Sequence, residues 1–451
     1  MNPPPSSSTR KVGLMTCVFL VIATMVGSGL YTNLGVQLTF VSSSFTILTL
    51  WALGGLVALS GALSYAELAA QMPHSGGEYY YLSKVYHPAL GTMAGIITQM
   101  AGCIGPIALA SMAFGTYSHT LFPSLHPTIT AFFLVTFITG VHLFNIGVSA
   151  FFQDITTGIK FFLLVLLFYV GCRYTTIPLQ TLLPSKQALG ELFHPSAGVV
   201  LIFCFYAYSG WNASTYIADD VVASEKTISR SLIFGSLSVI FIYLLMNALF
   251  LLSAPMNQLR GVLDVGSVVA LYLLGERGGH LMSALIALGL IASISAMTWT
   301  GPHIMQSMAK NLAALRWFAP ASWNKVPVRA ILFQYALVVL LLILSSFKTI
   351  LLSTQFALIF CELLAVFSVI LLRHPRASAI ASPKNAPKNR FRSPLYPLPQ
   401  LFFIVVSTMA LLYTMVTNFF EAFLGIIFIL SALASYPLLC RGEKTTKEKS
   451  R

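Results

Sequence analysis

Residues 24–34 read TMVGSGLYTNL and set Gly27-Ser28-Gly29 near the middle of an apolar run that opens at Val12. Each glycine costs a helix about 1 kcal/mol relative to alanine, so this run is expected to break in its centre. In lipid a broken helix is tolerated only where its freed backbone groups line a cavity or meet a ligand. The break would leave unpaired N–H groups at the start of the second half-helix, with a positive dipole end aimed at the same place. That makes a socket for a carboxylate. The competing reading is that a small-residue triplet lets two membrane helices pack closely.

The composition around this stretch narrows the class. Of 451 residues 57% are hydrophobic and 9% charged, and the mean hydropathy is +0.81. Soluble domains carry about 25% charged residues, so the chain reads as an all-α integral membrane protein. Cys17, Cys103, Cys172, Cys204, Cys361 and Cys440 are scattered through apolar runs without a CxxC pair. They imply neither a disulfide framework nor a metal site, and no cofactor is expected. The formal charge of +13 raises the question of nucleic acid, but the basic residues sit in short connectors and at the C-terminus. That distribution writes membrane topology, so the lipid bilayer is the expected partner and nucleic acid is not.

Twelve spans are expected at 12–37, 44–71, 89–118, 127–145, 151–172, 196–219, 231–254, 279–307, 328–346, 350–372, 398–417 and 420–439. The first follows Arg10 and Lys11 as a signal peptide would, but it lacks a small-residue cleavage site and reads as a retained helix. With both termini in the cytoplasm, inner connectors and tails, counting Arg329 at the inner end of span nine with them, hold 20 of the 26 Lys and Arg, and outer connectors hold five. This asymmetry orients the chain, and a cell membrane is the expected location. The organisation read from this is a loose N-tail over 1–11, a first repeat over 12–172, a second over 196–372, a basic loop over 373–397, two further helices over 398–439 and a basic tail over 440–451.

A second interruption lies in the sixth span, where Phe205-Tyr206-Ala207-Tyr208-Ser209-Gly210-Trp211-Asn212 occupies the middle of an apolar run. Spans one and six correspond if spans 1–5 and 6–10 form a 5+5 inverted repeat. Gly-interrupted helices in corresponding places are the best sequence pointer to a transporter site at the bilayer midplane.

Further motifs fall in order. VGSGLY covers 26–31 in the middle of the first span, and residues 64–82 read SYAELAAQMPHSGGEYYYL. Asn145, Gly147, Gln153 and Lys160 run from the end of span four into span five. Gly301-Pro302-His303 with Met308-Ala309-Lys310-Asn311 ends span eight, and RFRSPLYP covers 390–397. Together they resemble the amino acid–polyamine–organocation (APC) permeases over nearly the whole chain, and in particular the branch of neutral amino acid exchangers. That resemblance implies the LeuT-like fold with discontinuous helices 1 and 6. Departures fall on one face: Ala218-Asp219-Asp220, Ala223-Ser224 and Ser229-Arg230 shorten the family's acids and lose both prolines. His303 and Asn311 stand where Arg and Asp are usual.

The resemblance also implies a site. Backbone N–H groups of Ser28, Gly29 and Leu30 would donate to a substrate carboxylate, and carbonyls of Met25, Tyr206 and Ser209 would accept from its ammonium. Gly27 and Gly210 supply the open backbone, Tyr206 a cap over the substrate, and Trp211 and Trp299 a side-chain pocket, with packing the alternative role for each aromatic. Backbone readout of a zwitterion needs small residues rather than charged ones, which favours neutral amino acids.

Lys160 is the sharpest single residue, because a lysine in mid-span is costly and marks function. In similar carriers a lysine here takes the place of a sodium ion. It is expected to bridge the backbone near Gly27 to Ser293 or Ser295, and the alternatives are snorkelling or carrying a proton. Glu362 lies mid-span in the tenth helix and could pair or relay a proton. Glu67 reads as structural, and Glu421 sits at an outer edge. No GxSxG, HExxH, P-loop or paired catalytic acids occur within the spans, so an enzyme is not expected. The function expected is a secondary transporter of L-amino acids working by sodium-independent exchange. H⁺-coupled symport or an amino acid sensor on the same fold are the alternatives, with a proton or a counter-transported amino acid as the coupled species.

Overall fold

The computed structural model describes residues 12–27, 29–175, 177–262, 265–319, 326–344, 347–374 and 390–440. Ser28, both tails and most of the basic loop lie outside the described residues, as does the side chain of Glu421. The described chain is helical, and its one β-type contact is an isolated parallel bridge between Val12 and Val221.

All twelve expected positions carry helix. The first is α1 (Leu14–Met25) followed by α2 (Gly29–Gln37), with Val26 and Gly27 outside both helices. Then come α3 (Ser44–Gln71), the short α4 (Glu78–Val85), α5 (Pro88–Leu121), α6 (Pro127–His142) and α7 (Ile146–Tyr174). The second half runs through α8 (Lys186–Leu192), α9 (Pro195–Tyr208), a 3₁₀ segment Ala213–Asp220, α10 (Ser224–Ser253) and a single turn α11 (Met256–Leu259). It continues with α12 (Val265–Leu274), α13 (Glu276–Ala309), α14 (Val328–Leu344) and α15 (Phe347–Arg373). The last helices are α16 (Leu398–Thr417), α17 (Phe419–Ala434) and α18 (Tyr436–Cys440).

Length and apolarity alone qualify eight described helices as membrane spans. The other positions fall short because they are broken or brief: α1 with α2, the bent run through α9, and the short apolar helices α6 and α14. Burial sorts the bundle into layers. The most apolar window of α5 is 78% buried and that of α13 67%, against 22% and 17% for α16 and the last span. Phe132, Phe133, Phe137, Phe151 and Phe162 stand exposed on α6 and α7. So much exposed aromatic surface suits lipid and would be a liability in water.

Two local features shape the centre. Residues Thr98–Ile104 within α5 wind as a π-helix, and Pro106 just beyond cannot donate to the carbonyl of Gly102. Such bulges are frequent at functional sites. In the connector between the seventh and eighth expected spans, α12 packs on α13 and α2. It is seated by Gly35, whose Cα faces the Val262 carbonyl so closely that an added Cβ would lie 1.9 Å from that oxygen.

Candidate substrate site between the broken helices

The two breaks meet. Gly29 opens α2 against Ala207 near the end of α9, with room for a Cβ only 3.3 Å from the Ala207 Cα, and Asn33 Nδ2 donates to the Phe203 carbonyl at 2.9 Å. Gly210 takes φ +99°, a left-handed conformation that glycine adopts without a Cβ penalty. It lets the chain turn from α9 into the 3₁₀ segment while packed on the backbone of Thr24.

Between the breaks lies a cavity of about 80 Å³. Its walls come from Thr24, Met25 and Gly27 of the first break and Gly29 of α2. The second break contributes Tyr206, Ser209 and Gly210, with Asn212 and Tyr216 beyond it. The π-segment adds Ala101, Gly102 and Cys103, α13 adds Ser293 and Thr300, and α15 adds Gln355 and Glu362. The N-terminus of α2 and the C-termini of α1 and α9 all open here. One positive and two negative dipole ends therefore face the same small space. Glu362 is the only Asp, Glu, Lys or Arg among the described residues in the wall. Such a cavity can hold a small zwitterion by its backbone, carboxylate towards Gly29 and ammonium towards the carbonyl ends.

The expected site residues divide. Met25, Gly27, Gly29, Tyr206, Ser209 and Gly210 line the cavity. Leu30 is fully buried away from it. Trp211 is buried beside it, 4.7 Å from the Tyr65 ring centroid and 6.1 Å from that of Phe403. It borders a second, smaller cavity that shares Ser209, Gln355 and Glu362. Trp299 stacks on His142 at 6.4 Å. Ser28 lies outside the described residues.

The carbonyls at the end of α1 are already engaged. Met25 O accepts from the Gly27 N–H at 2.9 Å and lies 2.6 Å from the hydroxyl of Tyr243, which also sits 2.9 Å from the Ala207 carbonyl. Tyr243 therefore spans both breaks with one proton. Lys160 Nζ donates to Ser293 Oγ at 2.7 Å, to Ala23 O at 3.3 Å and to Val26 O. Ser293 also donates to Val26 O at 3.0 Å. The ammonium is 3% exposed and draws α1, α7 and α13 together. Ser295 is turned elsewhere, 3.0 Å from His142 Nε2.

One end of the bundle is shut below this cavity. The Val12 N–H donates to the Asp220 carbonyl and the Val222 N–H donates to the Val12 carbonyl. The Asp219 N–H donates to Ser75 Oγ and Ser307 Oγ donates to the Ser75 carbonyl, both at 2.8 Å. Lys310 Nζ donates to Asp219 Oδ2 at 3.0 Å, His74 approaches Asp219 at 3.5 Å, and His303 approaches Asp220 at 3.5 Å. The residues that depart from the usual pattern, Asp219, Asp220 and His303, thus contact one another's elements. At the same end Glu67 accepts two bonds from Arg373, at 2.7 and 2.6 Å, and one from the Ser393 N–H at 2.8 Å.

Sequence alone gives no role to Tyr243, and it gives Glu78 only a place in the Ser75-Gly76-Gly77-Glu78 stretch, because the partners of both lie on other elements and are set by packing.

A bundle of apolar helices around two breaks that face a shared cavity is the arrangement a permease needs. The sequence profile of the amino acid permease family matches residues 12–425, and the chain belongs to that family. It is similar to the serine/threonine exchanger SteT of Bacillus subtilis, 26% identical over 97% of this chain and 98% of that protein. It is also similar to the human Asc-type amino acid transporter 1, 27% identical over 67% of this chain and 59% of that one. The human large neutral amino acids transporter small subunit 2 is 23% identical over 75% of this chain and 65% of its own length.

Proposed function

We propose that this permease moves small neutral L-amino acids across a cell membrane by alternating access, as a sodium-independent exchanger with both termini in the cytoplasm. The observation that carries this reading is the cavity between three helix ends of opposite polarity, with no Lys or Arg among the described residues of its wall. Its volume of about 80 Å³ corresponds to roughly five to eight water-sized groups, which suits a solute of the size of serine or threonine. The name of the Bacillus relative points the same way. Sodium independence is supported by Lys160, whose ammonium already satisfies the carbonyls of Ala23 and Val26 together with Ser293, a place where a bound cation would otherwise serve. The basic connectors support the orientation, with the Val12–Asp220 end inside. Proton-coupled uptake is the second reading, and Glu362 in the cavity wall favours it.

The test is uptake of radiolabelled L-serine, L-threonine, L-alanine and L-leucine into proteoliposomes in sodium-free buffer. Uptake is expected only when the vesicles are loaded with an amino acid. Uptake into empty vesicles driven by an acid exterior would replace exchange with symport. Absence of uptake in every condition would overturn the transport assignment.

A further inference from the structure

Beside the cavity, and outside every residue discussed as a substrate contact, a buried carboxyl is bonded on one oxygen only. Glu78 opens α4, a short helix that lies between spans rather than crossing the membrane. It follows Gly76 and Gly77, whose φ of +116° and +50° let the chain turn the side chain inward. The residue is 1% exposed. Tyr65 donates its hydroxyl to Oε1 at 2.8 Å, Tyr216 donates to the same atom at 3.3 Å, and Asn212 Nδ2 donates there as well. Oε2 is buried and takes no bond. No Lys, Arg or His forms an ion pair with Glu78 among the described residues.

An ionised carboxylate divides its charge over both oxygens and seeks donors at each. A neutral carboxylic acid accepts at the carbonyl oxygen and keeps its proton on the other. Oε2 has no partner in either form, but an ionised carboxylate buried without a cation costs far more than a buried hydroxyl without an acceptor, and that difference favours the neutral acid. Burial accordingly pushes the Glu78 carboxyl above its ordinary range, against the lowering effect of its donors. The titratable groups facing it are Tyr65 of α3, Tyr216 of the 3₁₀ segment, Tyr81 of α4 itself, Cys103 of α5, and Cys361 and Glu362 of α15. None of these is a cation.

We propose that Glu78 is a proton-binding site of the transport cycle, loaded on Oε2 while the Val12–Asp220 end is closed and emptied when that end opens. The proposal rests on the transporter reading above. Its connection to the cavity is direct, because Asn212 and Tyr216 are both cavity wall and donors to Glu78. These two donors ride on the segment that runs from the Gly210 turn to Asp219 and Asp220, where the closed end is latched. Opening that end draws the donors away and admits water. The O–H bond at Oε2 then breaks, its electron pair stays on the carboxylate, and the proton passes to water on the opened side. Closing reverses the step. The sign follows: acid favours the closed end, and raising the pH on that side favours opening, because the closed state binds the proton more tightly.

The deciding experiment is infrared spectroscopy of the full chain in lipid vesicles, in water and in heavy water, as the pH is raised. The expected result is a protonated-carboxyl carbonyl band at neutral pH that shifts on deuteration, is missing in Glu78→Gln and persists in Glu362→Gln. A band unchanged in Glu78→Gln, or lost in Glu362→Gln instead, overturns the proposal. Glu78→Asp guards against a misfolded glutamine variant, since it should return the band at a shifted frequency; an Asp variant that folds and shows no such band also overturns it. This readout needs no transported solute, so it stands or falls separately from the amino acid assignment. In exchange assays with radiolabelled L-serine, wild-type release towards the Val12 side should rise with pH on that side by up to about tenfold per unit. Glu78→Gln should show no such slope, and a wild-type slope in that variant would contradict the proposal.

Discussion

Lys160 Nζ and Ser293 Oγ lie 2.7 Å apart, and both donate to the carbonyl of Val26, the last turn of the first half-helix. A residue on α7 and a residue on α13 thereby hold the end of α1 at the rim of the cavity. The arrangement is buried, so each group lost leaves another without a partner.

Replacing that lysine should expose its value. Hydrogen bonds to a charged group contribute about 1.5–3 kcal/mol, so Lys160→Met, which keeps the side-chain volume, is expected to slow exchange by about tenfold to a hundredfold. Radiolabel uptake at matched protein content checks this. A methionine variant that exchanges at the wild-type rate would remove the bridge from the mechanism.

Tyr243 offers a milder test. Its hydroxyl reaches the Met25 and Ala207 carbonyls at 2.6 and 2.9 Å, one on each side of the pair of breaks. Tyr243→Phe removes only that oxygen and should cost about 1 kcal/mol, the net worth of one such bond. The expected signs are a Tm lowered by a few degrees in detergent and a change in apparent substrate affinity of about fivefold. Unchanged values on both would mean that water replaces the hydroxyl.

Gly210 tests the backbone itself. At φ +99° an alanine is strained, and its Cβ would also meet the Thr24 backbone at 3.2 Å. Strain of this kind costs about 1–3 kcal/mol. Gly210→Ala should lower Tm and abolish most exchange, whereas Gly190→Ala, at a position with nothing within 4 Å, should leave both close to wild type.

The two ion-pair sites at the closed end should behave differently. The Glu67 side chain is 1% exposed and that of Arg373 21%, so Arg373→Ala leaves a buried carboxylate unpaired and should cost about 3–5 kcal/mol. Adding Glu67→Gln to that variant should recover part of the loss in a thermal-shift assay. The Lys310–Asp219 pair has side chains 51% and 36% exposed, and Lys310→Ala should cost less than about 1 kcal/mol. Equal destabilisation by the two substitutions would contradict this ranking.

Much of the architecture was legible because its signals are local. The triplet Gly27-Ser28-Gly29 and the run Ser209-Gly210-Trp211 mark breaks through the low helix preference of their own residues. The helices on either side are plain in the apolar runs. The helix α12 was not legible, since its ten residues are too few to read as a span and its order comes from packing on α2 and α13. Nor was the packing of the Trp211 ring on Tyr65 and Phe403, because which face of a broken helix looks inward depends on the angle at the break.

The sequence by itself determined the membrane class, the basic bias of one set of connectors, the family, and the two places where helices stop, since these depend on composition within a few residues. The tertiary structure decided which groups meet: Lys160 with Val26 across 134 positions, Tyr243 with Met25 across 218, and Asn212 with Glu78 across 134. Polar groups buried in a bundle must find partners or remain costly, and only the packing of distant helices specifies which partner each one finds.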